Sequence, residues 1–313
     1  MRFELNDVCK NNHMRLHVIV LITLMVLSAC GSSKRPDEES LLQAVDTMAI
    51  EGPAISEEVI KDVVQQIPSP LEISMLLKEV GTKYDVSLLN SADNISKYNS
   101  KYKKALNLGI YGTDLGYTNI YEQNQDAIFY LNSIKDLADG LNIGQFFDFG
   151  TIKRLATNSS NLDSLLLLTT QNFNEINAYL QDQKRANLSV LLLTGGWLEA
   201  VHLTGQISQK NPDNKALMEK IGEQKIILDN IKLLLEFYKE TDPNIGDLYQ
   251  DMVMLEEAFE EIEIVYTYAE PTFVEVDGML VFKDNSTTTI NITQENVKTI
   301  SDIVTKIRNK VVS

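Results

Sequence analysis

The chain has 313 residues, 44% of them hydrophobic, and sets 28 lysines and arginines against 44 aspartates and glutamates, for a formal charge of −16 at neutral pH. That length suffices for one large or two modest domains with real cores, while the acidic balance excludes nucleic acid, whose binding needs a basic patch to release counterions. It also disfavours electrostatic docking on anionic lipid, and with Cys9 and Cys30 as the only cysteines, stability has to come from burial and not from disulfides.

The first organised stretch is the apolar run Val18 to Leu27, VIVLITLMVL, which follows Arg15 and His17 and is closed by Ser28 and Ala29. A bilayer span takes about 20 apolar residues, so this run has the layout of a secretory signal over residues 1–29. Met14 is an alternative start, because Glu4 and Asp7 cancel Arg2 and Lys10 in the leader before it. Leu27-Ser28-Ala29-Cys30 resembles the bacterial lipobox. That resemblance implies that Cys30 takes a diacylglycerol thioether and acyl chains such as palmitate, and becomes the first residue of a lipoprotein. Acyl chains bury about 0.8 kcal/mol per CH₂, so an anchor of several chains is effectively permanent. Gly31, where the enterobacterial sorting rule would place Asp for inner-membrane retention, implies by the same resemblance the outer membrane, on its periplasmic side or at the surface.

Residues 30–67 continue after Cys30 as GSSKRPDEES and read as a polar spacer. Within them Val59, Ile60, Val63, Val64 and Ile67 have the spacing of a short amphipathic helix. A helical domain is predicted over 68–270. Ser69, Pro70 and Glu72 form a capping box before Ile73, Leu76, Leu77 and Val80, and Gly81 is a stop. Asn161 opens a helix with Leu162, Leu166, Phe173, Ile176 and Leu180, and Asp213 another with Leu217, Ile221, Leu228, Ile231 and Leu235. Asp242-Pro243 opens the clearest one, where Ile245, Leu248, Met252, Leu255, Phe259, Ile262 and Tyr266 form a heptad stripe. Such patterning predicts a mainly α fold, a multi-helix bundle or stacked helical hairpins.

At Pro271 the period changes to two. Phe273 and Val276 before Asp277-Gly278, with Leu280 and Phe282 after it, predict a hairpin, and Thr287 to Thr293 a third strand of a meander. A final helix, Gln294 to Lys310, carries Val297, Ile300, Ile303, Val304 and Ile307 and would cover that meander. Residues 271–313 thus read as a small β-meander plus terminal helix packed on the helical domain.

Three stretches depart from plain bundle composition. Gly109 to Tyr117 places Gly109, Gly112 and Gly116 three and four apart. A phosphate loop would need a strand-to-helix turn, so the stretch reads as a helix whose glycines admit a neighbouring backbone. Asp114, on the adjoining face with Tyr117 and Tyr121, is then either bonded by tyrosine hydroxyls or open to a ligand. Gly195 to His202 contains Glu199-x-x-His202, the motif that di-iron bundles use twice. His202 is the only histidine after Cys30, so the second motif cannot be made. A single-metal site would have to borrow Asp114 or Asp148, and the plainer reading is a buried His–Glu pair with no metal and no cofactor. The third stretch, Phe146-Phe147-Asp148-Phe149-Gly150, reads as aromatic packing with Asp148 capping a helix.

Glu256, Glu257, Glu260, Glu261 and Glu263 read as a solvated face. A Gly-x-Ser-x-Gly elbow is absent, as is the Gly-x-His-x-x-Glu order of imelysin-type exported bundles. LNLGIYGTDLGY and GGWLEAVHL, with the lipobox and the terminal hairpin and helix, resemble an uncharacterised family of all-helical lipoproteins from Bacteroidota over residues 68–313. That resemblance brings no activity with it. The sequence therefore leads to a lipid-anchored envelope protein that acts by binding, a scaffold or docking surface for an envelope protein. One alternative is a small-ligand sensor with a pocket between the two glycine-rich helices, lined by Tyr111, Asp114, Tyr117, Trp197, Glu199 and His202. The other is an enzyme using Asp114, Glu199 or His202 as acid or base.

Overall fold

Apolar side chains at spacings of three and four build a mainly α fold, which the computed structural model describes for Val63 and for residues 82–156, 162–276 and 279–313. All of these belong to one compact unit, Ile55–Ser313. Cys30, the spacer apart from Val63, the helix predicted over 68–81 and the Asp277-Gly278 turn lie outside the described residues. Val63, from the predicted amphipathic stretch, is helical and buried in the core.

In chain order come 3₁₀ turns at Val86–Leu88 and Ala92–Lys97, helices α1 (Lys101–Ile120) and α2 (Asn124–Gly140), and a 3₁₀ turn at Gly144–Phe146. Helices α3 (Phe149–Ala156), α4 (Leu162–Asp182), α5 (Ala186–Lys210), α6 (Lys215–Tyr238) and α7 (Pro243–Phe259) follow. Strands β1 (Glu263–Thr267), β2 (Thr272–Val276), β3 (Met279–Lys283) and β4 (Thr287–Asn291) lead to α8 (Gln294–Val312). Side chains satisfy the free amides at several helix starts. Asp242 caps α7 with Pro243 in its first turn, and Thr293 and Asn296 form a capping box on α8. Asn214, one residue past the Asp213 expected from sequence, caps α6 by accepting the Leu217 N–H.

Helix α5 is the hub, in contact with α1, α4, α6 and α8. It is long and apolar enough to cross a membrane, yet 89% of its most apolar window is buried inside the bundle, as befits a helix apolar all round. Helix α8 buries Val297, Ile300, Val304, Ile307, Val311 and Val312 against α5, α7 and α1. It is therefore part of the bundle core and no mere cover for the strands.

The stripe on α7 holds from Ile245 to Phe259, all buried, and then the helix stops. Glu256, Glu257, Glu260 and Glu261 crowd the end where the helix dipole is negative, and the β-branched Ile262, Ile264, Val265 and Thr267 favour extended backbone. Tyr266 is consequently an exposed residue of β1, and the change of period falls before Pro271 and not at it. The glutamates are only partly a solvated face, since Glu256 pairs with Lys232 and Glu261 accepts from Asn296 at 2.9 Å.

The expected hairpin is present as β2 and β3, in register from Thr272↔Lys283 to Val276↔Met279. The expected third strand, β4, pairs with β1 instead, from Glu263↔Asn291 to Thr267↔Thr287. Two separate two-stranded ribbons therefore replace the three-stranded meander. The β1–β4 ribbon rests on α6, where Gly222 makes room for Ile290 and the Lys225 Nζ donates to the Ile262 carbonyl at 2.7 Å.

Candidate functional site

The two glycine-rich stretches meet. A Cβ at Gly109 would strike the Leu192 carbonyl and lie 2.6 Å from the Gly196 nitrogen, and one at Gly195 would strike the Leu106 carbonyl. Thr113 Oγ1 donates across the same seam to the Gly196 carbonyl at 2.9 Å. Gly112, by contrast, has open space around it and does not belong to the contact. Helix α1 thus lies backbone-to-backbone on α5, and the contact that brings them together also brings Asp114 to Glu199.

Both carboxyls are 0% exposed. Their partner is Arg308, from α8, which donates through Nε and Nη2 to the two oxygens of Glu199, each at 2.8 Å. This fork is the strong geometry for a guanidinium and a carboxylate. The same Nη2 reaches the Leu88 carbonyl at 3.3 Å. Asp114 Oδ2 accepts from the Asn90 N–H at 3.3 Å, while Oδ1 has no partner among the described heavy-atom hydrogen bonds. Burial, and then the charge of Glu199, push the Asp114 carboxyl well above the usual carboxylate range, against the opposing charge of Arg308. Burial thus favours the protonated form of Asp114, and Glu199 and Arg308 form the ion pair beside it.

His202 is not bonded to Glu199, contrary to the buried pair expected from their spacing. Its Nδ1 hydrogen-bonds with Thr305 Oγ1 at 3.1 Å. Burial holds its pKa below the usual imidazole value, and the Arg308 charge acts in the same direction against the pull of Glu199. Around the cluster, Asn90 Nδ2 donates to Tyr98 Oη at 3.0 Å and Asn107 Oδ1 at 3.3 Å, and Asn107 Nδ2 donates to the Val311 carbonyl at 3.3 Å.

The remaining nominated residues face elsewhere. Tyr111 Oη donates to the Ser91 carbonyl at 2.9 Å, and Tyr117 Oη accepts from the Asp85 N–H at 3.2 Å, so both pin residues 85–91 onto α1. Trp197 is buried and donates from Nε1 to Gln224 Oε1 on α6 at 2.9 Å. The space between Val201, Thr204, Lys220, Ile221 and Gln224 has no room for a water molecule. Asp148 caps α3 by accepting from the Thr151 N–H at 3.0 Å, far from any ligand role.

No protein-family model, curated protein or solved structure matches the chain.

Chemically, the cluster joins a carboxyl held towards its protonated form, an ion pair and an imidazole held towards its neutral form, all buried. The parts of acid–base chemistry are there, but all are sealed from solvent, and Glu199, Arg308 and His202 are already bonded to the chain's own groups. Among the described residues no group of three or more His, Cys, Asp or Glu side chains could hold a metal. Sequence reasoning missed Arg308 and Asn90. Arg308 was discoverable, because it stands four residues after Val304 on the buried face of α8, where a lone arginine demands a buried carboxylate.

Proposed function

We propose that the protein is a lipid-anchored binding protein of the cell envelope, held at the outer membrane through Cys30, whose acidic body serves as a docking surface for another envelope protein. The observation that carries this reading is a contrast in exposure. The groups suited to acid–base work are sealed inside the bundle, whereas Phe273, Met279, Leu280 and Phe282 are 60–77% exposed, and α6 also turns Ile226 and Leu233 to solvent. Large apolar side chains gathered on a surface mark an interaction site.

Two measurements test the reading. Cys30→Ser should move the protein from the membrane to the soluble fraction, and retention at the membrane would remove the anchor from it. Lysine-reactive crosslinking of full-length protein in intact cells of the native host should give one discrete adduct, lost with Cys30→Ser. Recovery of the uncrosslinked chain alone defeats the docking role.

A further inference from the structure

The β2–β3 hairpin is apolar on both faces. Side chains alternate across a ribbon, so one face carries Phe273 opposite Phe282, their rings 5.9 Å apart edge to face, and Leu280 opposite Glu275. The other carries Val274 opposite Val281, and Met279. Phe273 (70%), Met279 (66%), Leu280 (77%) and Phe282 (60%) all remain exposed, so the bundle backs neither face. Among the described residues, strands β2 and β3 pair only with each other. Each therefore offers an open row of backbone N–H and C=O groups. Natural edges are usually blunted by Lys, Pro or a bulge, and here Pro271 and Lys283 stand only at the base, with an unbroken register between them.

Three occupants could cover such an arm, and their chemistry separates them. Hydrocarbon would cover both faces but would leave the open edges unpaired, which costs several kcal/mol per group, and would also take in Glu275. A second copy would bring another chain of formal charge −16 and set its acidic ribbon against an identical one. A different polypeptide can pair the edges, cover the side chains and complement the charge. Over residues 263–291 the carboxylates are Glu263, Glu270, Glu275, Asp277 and Asp284, and Lys283 is the sole cation.

We propose that strands β2 and β3 bind a partner polypeptide by strand addition, the partner being an extended segment of alternating apolar side chains flanked by lysine or arginine. This rests on the binding-protein reading and names the partner's chemistry. Main-chain pairing supplies affinity, the exposed side chains supply register, and the acidic flanks select the charge.

The test uses the full-length protein and labelled peptides followed by fluorescence anisotropy. A KKVTVTVKK peptide should bind saturably. An EEVTVTVEE peptide, and the first peptide N-methylated on alternate amides, should each bind at least about tenfold more weakly. Leu280→Ser and Phe282→Ser should each weaken the first peptide similarly while leaving helicity unchanged, because both side chains are exposed. Equal binding of the N-methylated peptide, or no saturable binding at all, overturns the proposal. Flotation with phosphatidylcholine and phosphatidylglycerol vesicles that Leu280→Ser abolishes overturns it in favour of lipid, and a dimer that Leu280→Ser abolishes overturns it in favour of a second copy. If the peptides fail while the cellular adduct persists, strand addition falls and the docking role stands. If both fail, both fall.

Discussion

Arg308 is the most consequential residue of the interior. A buried guanidinium is tolerated only because Glu199 meets it with both oxygens and Leu88 offers a carbonyl. Glu199→Gln should therefore destabilise the fold by about 3–5 kcal/mol, read from urea unfolding. Asp114→Asn should be neutral or stabilising, since burial already favours the uncharged carboxyl and an amide can still accept from Asn90. The double variant should cost more than the sum of the two, because in Glu199→Gln alone Asp114 can ionise and serve Arg308. The pH dependence follows from the two directions of shift. Asp114 is raised above its ordinary 3.8, so its contribution is complete below that pH and is lost as pH rises through the folded value. His202 is lowered below 6.5, so its contribution is complete above that pH and is lost as pH falls through the folded value. Replacing His202 with Gln should flatten the acid limb of the stability profile below pH 6.5, and an unchanged limb would remove His202 as its cause.

The contact of α1 with α5 depends on missing side chains. Gly109→Ala or Gly195→Ala would drive a methyl into a backbone carbonyl that cannot yield, forcing the helices apart at a cost of about 1–3 kcal/mol or more. Gly112→Ala, three residues from Gly109 in the same helix, meets open space. It should stabilise by about 0.5–1 kcal/mol through helix propensity. Thermal melts of the three variants distinguish a seam from a general intolerance of change in α1. The β2–β3 arm behaves in the opposite way, for it buries nothing in the bundle. Replacing it with a short polar turn between β1 and β4 should shift the melting temperature by no more than a few degrees, whereas a large drop would show that the arm supports the core.

At the scale of the molecule, the chain's last residues close the structure. Tyr98 Oη donates to the Val312 carbonyl at 3.4 Å, Asn107 to that of Val311, and Lys103 Nζ to the Ser313 carbonyl at 2.8 Å. Val311 and Val312 are themselves buried, so deleting Val311 to Ser313 should cost about 1.5–3 kcal/mol for each valine, measured by denaturant unfolding. Much of this body was legible from local pattern. The Asp242-Pro243 start of α7, the buried stripes of α6 and α8, the β2–β3 hairpin and the glycine seam each follow from spacings within a few residues, where propensity, capping and periodicity act. The pairing of β4 with β1 was not legible from periodicity, because the stripe of α7 runs through Ile262 into Tyr266 with no break in spacing; the clustered glutamates and β-branched residues outweigh that stripe and end the helix, and which strands then pair is set by packing. Nor could the sequence place Trp197 against Gln224, or join Glu199 to Arg308 across 109 positions. Periodicity tells which face of a helix is buried; which carboxylate meets which guanidinium depends on how whole faces pack, and that was decided only by the tertiary structure.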